Sequence, residues 1–443
     1  MTERIPKRRK ISQDILNALS GGVVPRTGVD YIAIGRDTEM SALAHDLEVI
    51  ADGGASFRLI VGRHGAGKSF LMEMLRNHAM QKRFVVANAD FSQHRRLSSS
   101  KGAGLNLYRE LLSNMAIRTR PRSNAFAAIL EKWISDIQSK VARSGIEPSS
   151  RKFDREVAGE VRRITGKMEY MVSGFDFGEV LNAYWRGHRE DDEVLKGAAM
   201  RWLRGEFSGK RQAEHALKFK PNSIIDESSW YNFIKLLAYF VRQIGYRGLV
   251  IFLDEAVELW KIDNRVGREN NYQKILDIYN DTLGGGSAEY LGVLFGATPQ
   301  AVEDRRRGLF SNEALQSRLE ESSFARQGLR DMYAPLIRLD VLSGDEFLLL
   351  LQAIREIHAW HYKYESNLDD SRLHDFMAAA HNRIGAGILL TPREVLQSYT
   401  SLLNLLHQHP GETFESVLAR VDFAASEQTD PELIDSPYAS FEI

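Results

Sequence analysis

The sequence contains no cysteine. That absence excludes disulfides, thiol catalysis and zinc sites built on cysteine sulfur. No apolar run approaches the roughly 18 residues a membrane-spanning helix needs. The N-terminus carries charges but no apolar h-region, so the expectation is a soluble, cytoplasmic protein without a membrane partner. Net charge is also missing: 58 basic and 59 acidic residues nearly cancel in 443, which rules out the global polycation of a dedicated nucleic-acid coat. The twelve histidines show no metal-ligand spacing, and there is no internal repeat. Charge asymmetry is local, at Lys7-Arg8-Arg9-Lys10, at Arg305-Arg306-Arg307, and in residues 421–443, which hold six acidic side chains and no Lys or Arg. The length suits two or three packed units.

One stretch carries most of the information. Residues 57–71 read FRLIVGRHGAGKSFL. A short apolar β-run feeds Gly62-Arg63-His64-Gly65-Ala66-Gly67-Lys68-Ser69, and a helical start follows at Phe70 and Leu71. This is G-x-x-x-x-G-K-S between a strand and a helix, the P-loop of nucleotide hydrolases. Its glycines let the backbone curl so that successive N–H groups point at a β-phosphate. Lys68 supplies a cation to the β/γ oxygens and Ser69 a ligand for Mg²⁺. His64 occupies an unspecified position, and no role is assigned to its side chain.

Four more apolar runs predict strands, at 84–90, 248–255, 290–298 and 334–339, separated by helical segments. Such alternation implies a parallel sheet with right-handed crossovers and a ligand at the strands' carboxyl ends. Asp254, after five apolar residues, suits Mg²⁺, and Glu255 suits the base that orients and deprotonates an attacking water. Their alternative is a strand that simply ends in a surface turn. Thr298 is either a polar group for the γ-phosphate or lytic water, or an ordinary turn residue before Pro299. Arg318 in Ala314-Leu-Gln-Ser-Arg-Leu319 is either a cation supplied to a neighbouring subunit's γ-phosphate or a solvated helix residue. Thr391-Pro392-Arg393-Glu394 has the pattern of a capped helix start, which aims Arg393 at a nucleotide or leaves it on the surface. Ile34-Gly35-Arg36 fits adenine packing and a core β-bridge equally well. Arg305-Arg306-Arg307 reads as a phosphate contact or a solvated loop.

Together these segments resemble the AAA+ ATPases, nearest the origin-recognition and STAND-like branch. Within it the chain is similar to the BREX-system ATP-binding proteins of the BrxD family. The matching segments are Gly21-Gly-Val-Val-Pro-Arg26, Ile34-Gly-Arg36, Phe57 to Phe70, Arg201-Trp-Leu-Arg-Gly205, Gly245-Tyr-Arg-Gly-Leu249, Ala314 to Leu319 and Leu390-Thr-Pro-Arg-Glu394. The resemblance implies an α/β fold: an AAA+ P-loop NTPase with a parallel five-stranded sheet of order 5-1-4-3-2, a large helical insertion and a C-terminal helical lid. The expected domains are an N-terminal arm (1–30), an ATPase core (31–340) with an insertion at about 101–246, a lid (341–410) and an acidic tail (411–443).

It further implies a Mg²⁺- and ATP-dependent switch or motor in antiviral defence. The expected partners are other subunits of a BREX-type cluster, a helicase or methyltransferase, together with further copies of the chain and DNA held without sequence specificity. Two departures stand out. About 185 residues separate Ser69 from Asp254, more than a minimal core needs. Only about 35 residues follow the lid, too few for a winged-helix DNA reader. A nucleotide-sensing scaffold with little turnover is the alternative function, and a small-molecule P-loop kinase a third.

Overall fold

The computed structural model describes residues 5–285, 287–320, 330–382 and 392–420. Thr391 of the expected helix cap, residues 383–391 of the expected lid and the acidic segment 421–443 lie outside them.

Helices α1 (Arg9–Ser20) and α2 (Asp37–Ala51) precede strand β1 (Ala55–Val61), and α3 (Lys68–Gln81) follows it. Strand β2 (Val85–Asp90) leads into seven helices. They are α4 (Ala103–Ser113), α5 (Ala125–Arg143), α6 (Arg151–Gly166), α7 (Gly174–Glu190), α8 (Glu193–Leu203), α9 (Lys210–Leu217) and α10 (Trp230–Gln243). Next come β3 (Leu249–Asp254), α11 (Val257–Trp260), α12 (Arg265–Leu283), β4 (Leu291–Ala297), α13 (Pro299–Glu303), α14 (Glu313–Leu319) and β5 (Leu336–Arg338). Helices α15 (Gly344–Tyr362), α16 (Asp370–Asn382), α17 (Pro392–Gln408) and α18 (Phe414–Arg420) complete the described chain.

The strands form one parallel sheet in the order β2-β3-β4-β1-β5, which counted from the β5 edge runs 5-1-4-3-2. All seven residues of β4 are buried, as are six of seven in β1 and five of six in β3. Continuous burial of this kind belongs to strands covered on both faces, where alternation of polar and apolar residues would be costly. Register runs from Val85↔Leu249 to Asp90↔Asp254 between β2 and β3, so two carboxylate-bearing residues end adjacent strands at the same level. β5 is fixed to β1 by Leu59 N–H donating to Pro335 C=O at 2.8 Å and Leu339 N–H donating to Val61 C=O at 2.7 Å.

The chain divides into two compact units. One comprises residues 42–60 and 76–337 and contains nearly all of the sheet. Its core includes Phe57, Phe91, Phe295 and Tyr279, with ring centroids 5.3 to 6.2 Å apart. The apolar face of α10 (Phe233, Leu237, Phe240) is fully buried, and this helix packs on β3 and β4. Arg58 of β1 grips Asp46 of α2 with two hydrogen bonds, Nε to Oδ2 at 2.6 Å and Nη2 to Oδ1 at 2.7 Å. It also donates to the carbonyls of Met332 and Ala334, so one buried guanidinium sets how the segment before β5 meets the sheet.

The other unit comprises residues 1–41, 61–75 and 338–443. Ile15, Leu16 and Leu19 of α1 form its apolar core with Phe347, Leu351 and Ile354 of α15, Phe376 of α16 and Tyr399 and Leu402 of α17. The spacing of the α1 residues puts all three on one face of the helix. Ser12 adds a buried 2.8 Å hydrogen bond to His361 Nδ1.

Candidate nucleotide site

The P-loop leaves the carboxyl end of β1 at Val61 and becomes α3 at Lys68. Gly65 and Gly67 have φ of 81° and 90°, backbone conformations a side chain would strain. Gly62 answers to space instead. A Cβ there would sit 3.1 Å from Ala66 Cβ and 3.3 Å from Leu339 Cβ, so only hydrogen fits comfortably. Lys68 turns back into the loop, its Nζ donating to the carbonyls of Gly62 and Arg63, each at 2.9 Å. His64 is exposed, whereas Arg63 and Ser69 are half-buried. Ala66 N–H donates to Arg63 C=O at 3.1 Å, and Leu71 N–H to Gly67 C=O at 2.9 Å, the first helical bond of α3.

Two further groups hold this loop. Phe70, the residue after Ser69, packs with Tyr31 and Ile34 against the apolar core shared by α1, α15 and α17. Arg36 is only 6 % exposed and donates from Nη2 to Ala66 C=O at 3.0 Å and to Asp340 C=O at 2.7 Å. Its Nη1 lies 3.5 Å from Glu39 Oε1. Gly35 makes this approach feasible: its φ is 70°, and a Cβ there would come within 2.6 Å of Glu346 Oε1. The Ile34-Gly35-Arg36 motif therefore braces the loop from below. Asp340 was not legible as part of that brace from the sequence, because its contact with Arg36 spans some 300 residues. Arg393, the second residue of α17, is exposed, and its Cγ lies 3.6 Å from where a Cβ on Gly22 would stand. Gln397, one turn on, donates to Ser20 C=O at 3.0 Å.

The remaining expected residues belong to the sheet-bearing unit. Asp254 ends β3 half-buried. Its Oδ1 accepts the N–H of Glu255 at 2.8 Å, and its carbonyl accepts the N–H of Phe91 at 3.0 Å. Glu255 is exposed and has φ of 59°. A non-glycine residue in the left-handed region is strained, and such strain persists only where neighbours impose it. Here Ala256 N–H donates to Gly296 C=O at 2.9 Å, and Glu258 N–H to Glu255 C=O at 2.9 Å. The chain is thus pinned on both sides of Glu255. Asp90, level with Asp254 across the register, adds a third carboxylate to these strand ends. Asp90 closes the 84–90 run in the sequence, but only the strand register gives it Asp254 as a neighbour.

Thr298 caps α13, its Oγ1 accepting from Ala301 N–H at 3.3 Å with Pro299 in the first turn. Arg318 is exposed on α14, and its Nη1 donates one turn back to Ala314 C=O at 3.0 Å. Among the described residues no group of three or more His, Asp or Glu is arranged to hold a metal by itself.

The loop between β1 and α3 thus combines left-handed glycines, a lysine turned back onto its carbonyls and a buried arginine brace. Of the 443 residues, 6–422 match the family model described as BREX system ATP-binding protein BrxC/D. The chain belongs to that family. A search of curated proteins finds no match. Because the BrxC/D match starts before α1 and ends beyond α18, it covers every described element and not the P-loop alone.

Proposed function

We propose that this BrxC/D member binds ATP with Mg²⁺ and hydrolyses it as a switch or motor of a BREX defence system. The observation that supports this best is the P-loop itself: left-handed Gly65 and Gly67 lead into a 14-residue helix, with Lys68 Nζ turned into the loop. In this reading the N–H groups of residues 62–69 and the start of α3 bind the β-phosphate. Lys68 exchanges its loop carbonyls for β/γ oxygens. Ser69 and Asp254 hold Mg²⁺, which when bound neutralises charge on the phosphates. Glu255 orients the lytic water and takes its proton, and Thr298 helps place that water. Arg393 and the Ile34–Arg36 segment belong to nucleotide recognition, the latter through the loop they brace. Arg318 serves the nucleotide of a second copy, so the active form is a homo-oligomer. Other BREX components, a helicase or methyltransferase among them, are the partners, in the cytoplasm and on DNA without sequence specificity.

Calorimetric titration of ATP into wild type and Lys68→Ala tests binding, and phosphate release by Glu255→Gln tests hydrolysis. Lys68→Ala should abolish tight binding, whereas Glu255→Gln should bind ATP and turn over about 10²–10⁴-fold more slowly. Equal ATP affinity in wild type and Lys68→Ala would remove the P-loop assignment. Normal binding with no turnover in wild type would favour the nucleotide-sensing scaffold.

A further inference from the structure

The whole chain carries a formal charge of −1. Residues 101–246, however, hold 25 Lys and Arg against 18 Asp and Glu, a net of +7. Part of that excess lies on α6, which carries five Lys and Arg against three Asp and Glu. This helix buries Phe153, Val157, Val161 and Ile164 along one face, against α5, α7 and α10. At about 100° per residue, the directions within about 60° of the point opposite Val157 are taken by Arg151, Lys152, Arg155, Arg162 and Arg163, with Gly159 and Gly166 between them. All seven are exposed.

No carboxylate shares that arc. Asp154, Glu156 and Glu160 lie on its flanks, and Glu160 is already engaged by Lys140 at 3.1 Å and Arg163 at 2.8 Å. Hydrogen bonding from Arg163 lowers the Glu160 pKa, which keeps that carboxylate ionised and tied. Arg151, Lys152, Arg155 and Arg162 have no ion-pair partner among the described residues. Gly159 is costly inside a helix and packs against nothing: a Cβ there would meet no atom within 4 Å. Its bare backbone leaves room for a ligand to lie close along the helix.

Two exposed aromatic residues follow α6 in the chain. In the turn between α6 and α7, Tyr170 is 72 % exposed, and Phe175 in the first turn of α7 is 54 % exposed. The Tyr170 ring stands edge-on to Tyr239, centroids 6.1 Å apart. Lys167 in the same turn is held by Gln243 Oε1 at 2.9 Å, so the turn is tied to the end of α10. A row of unpaired guanidinium groups fits a row of phosphates. Exposed rings beside such a row fit bases whose faces are open, as they are in a single strand and not in a duplex.

We propose that the outward face of α6 binds the backbone of a single-stranded nucleic acid, with Tyr170 and Phe175 as stacking partners for its bases. The test is fluorescence anisotropy of labelled oligo-dT with the full chain across a salt series, with a duplex of equal length in parallel. Arg155→Gln/Arg162→Gln should lose tenfold or more in affinity at low salt. Its salt slope should flatten by about 1.4, two contacts at about 0.7 each for a single strand. Tyr170→Ala/Phe175→Ala should lose about tenfold and keep the wild-type slope. Arg155→Lys/Arg162→Lys should retain the slope, which separates loss of charge from loss of fold if the glutamine variant proves unstable. ATP affinity should be unchanged throughout.

Oligo-dT binding that is absent in wild type, or equal in wild type and the glutamine variant, would overturn the proposal. So would tighter binding of the duplex. Polyglutamate competing as strongly as oligo-dT would assign the stripe to an acidic polypeptide instead.

Discussion

Arg36 Nη2 donates a 3.0 Å hydrogen bond to the carbonyl of Ala66, inside the P-loop and thirty residues further along the chain. The same nitrogen donates to Asp340 C=O at 2.7 Å. One buried cation therefore holds the loop against the segment that follows β5. Arg36→Ala should destabilise the protein by about 2–3 kcal/mol, because carbonyls paired to a charge are left without that donor. It should also weaken ATP binding, since the loop loses its brace. Chemical denaturation and calorimetry read the two effects, and a variant with wild-type values in both would leave the contact without consequence.

Glu255 combines strain with proposed chemistry. The left-handed conformation costs a non-glycine residue about 1–2 kcal/mol, against about 0.5–1 kcal/mol of chain entropy that glycine adds. Glu255→Gly should therefore gain about 0.5–1 kcal/mol in stability while losing turnover. Glu255→Gln keeps the strain and should melt like wild type. If Glu255→Gly melts lower than Glu255→Gln, the φ of 59° is not the source of strain.

Arg318 is bonded to its own helix at Ala314 C=O and is exposed, so its guanidinium can be presented to a second copy. Arg318→Ala and Lys68→Ala should each lack ATPase activity alone. Mixed, they should recover part of it, because some pairings join an intact loop to an intact arginine. No recovery at any ratio, with specific activity independent of wild-type concentration, would restrict Arg318 to its own chain.

Acid should loosen the helical unit. His358 is fully buried, with Nδ1 2.9 Å from Tyr364 Oη and Nε2 3.1 Å from Asn404 Oδ1. Burial lowers its pKa from 6.5 to about 4. His361, held by Ser12, is also shifted down by burial. Between pH 6.5 and 4 the unfolded chain binds protons that folded His358 refuses. Stability is thus intact above pH 6.5 and falls with pH through that window, by up to about 1.4 kcal/mol per unit for one histidine. Urea midpoints at pH 7.5 and 5 measure the slope, and His358→Gln should flatten it. An equal slope in that variant would place the titration elsewhere.

Local chemistry made much of this legible. The loop is a contiguous pattern, and the apolar runs ending at Asp254 and Ala297 could only be buried strands. The long insertion between β2 and β3 showed in the roughly 185 residues that separate Ser69 from Asp254. What stayed hidden depends on distance or on backbone state. Arg36 meets Asp340, Ser12 meets His361 and Asp90 meets Asp254 only after the chain has closed on itself. The left-handed Glu255 carries no sequence signal, since nothing in a glutamate favours that conformation. The Arg, Lys and Gly residues of α6 resolve into a one-sided stripe only once Phe153 and Val157 show which side is buried.

The pairing of Val85 with Leu249 has a temporal consequence. At ribosomal speeds of about 5–20 residues per second, β2 emerges roughly 8–33 seconds before its neighbour β3. During that interval β2 is an apolar strand with an open edge, the kind of surface that recruits wrong partners. Closing so long a loop from a disordered chain costs about 4–5 kcal/mol plus a constant. Collapse of the seven intervening helices into a local bundle shortens the effective loop before β3 arrives. Nascent-chain folding of residues 103–243 thereby becomes the step that protects the sheet's edge. Truncations stalled before Leu249 should be protease-resistant in the bundle and chaperone-bound at β2.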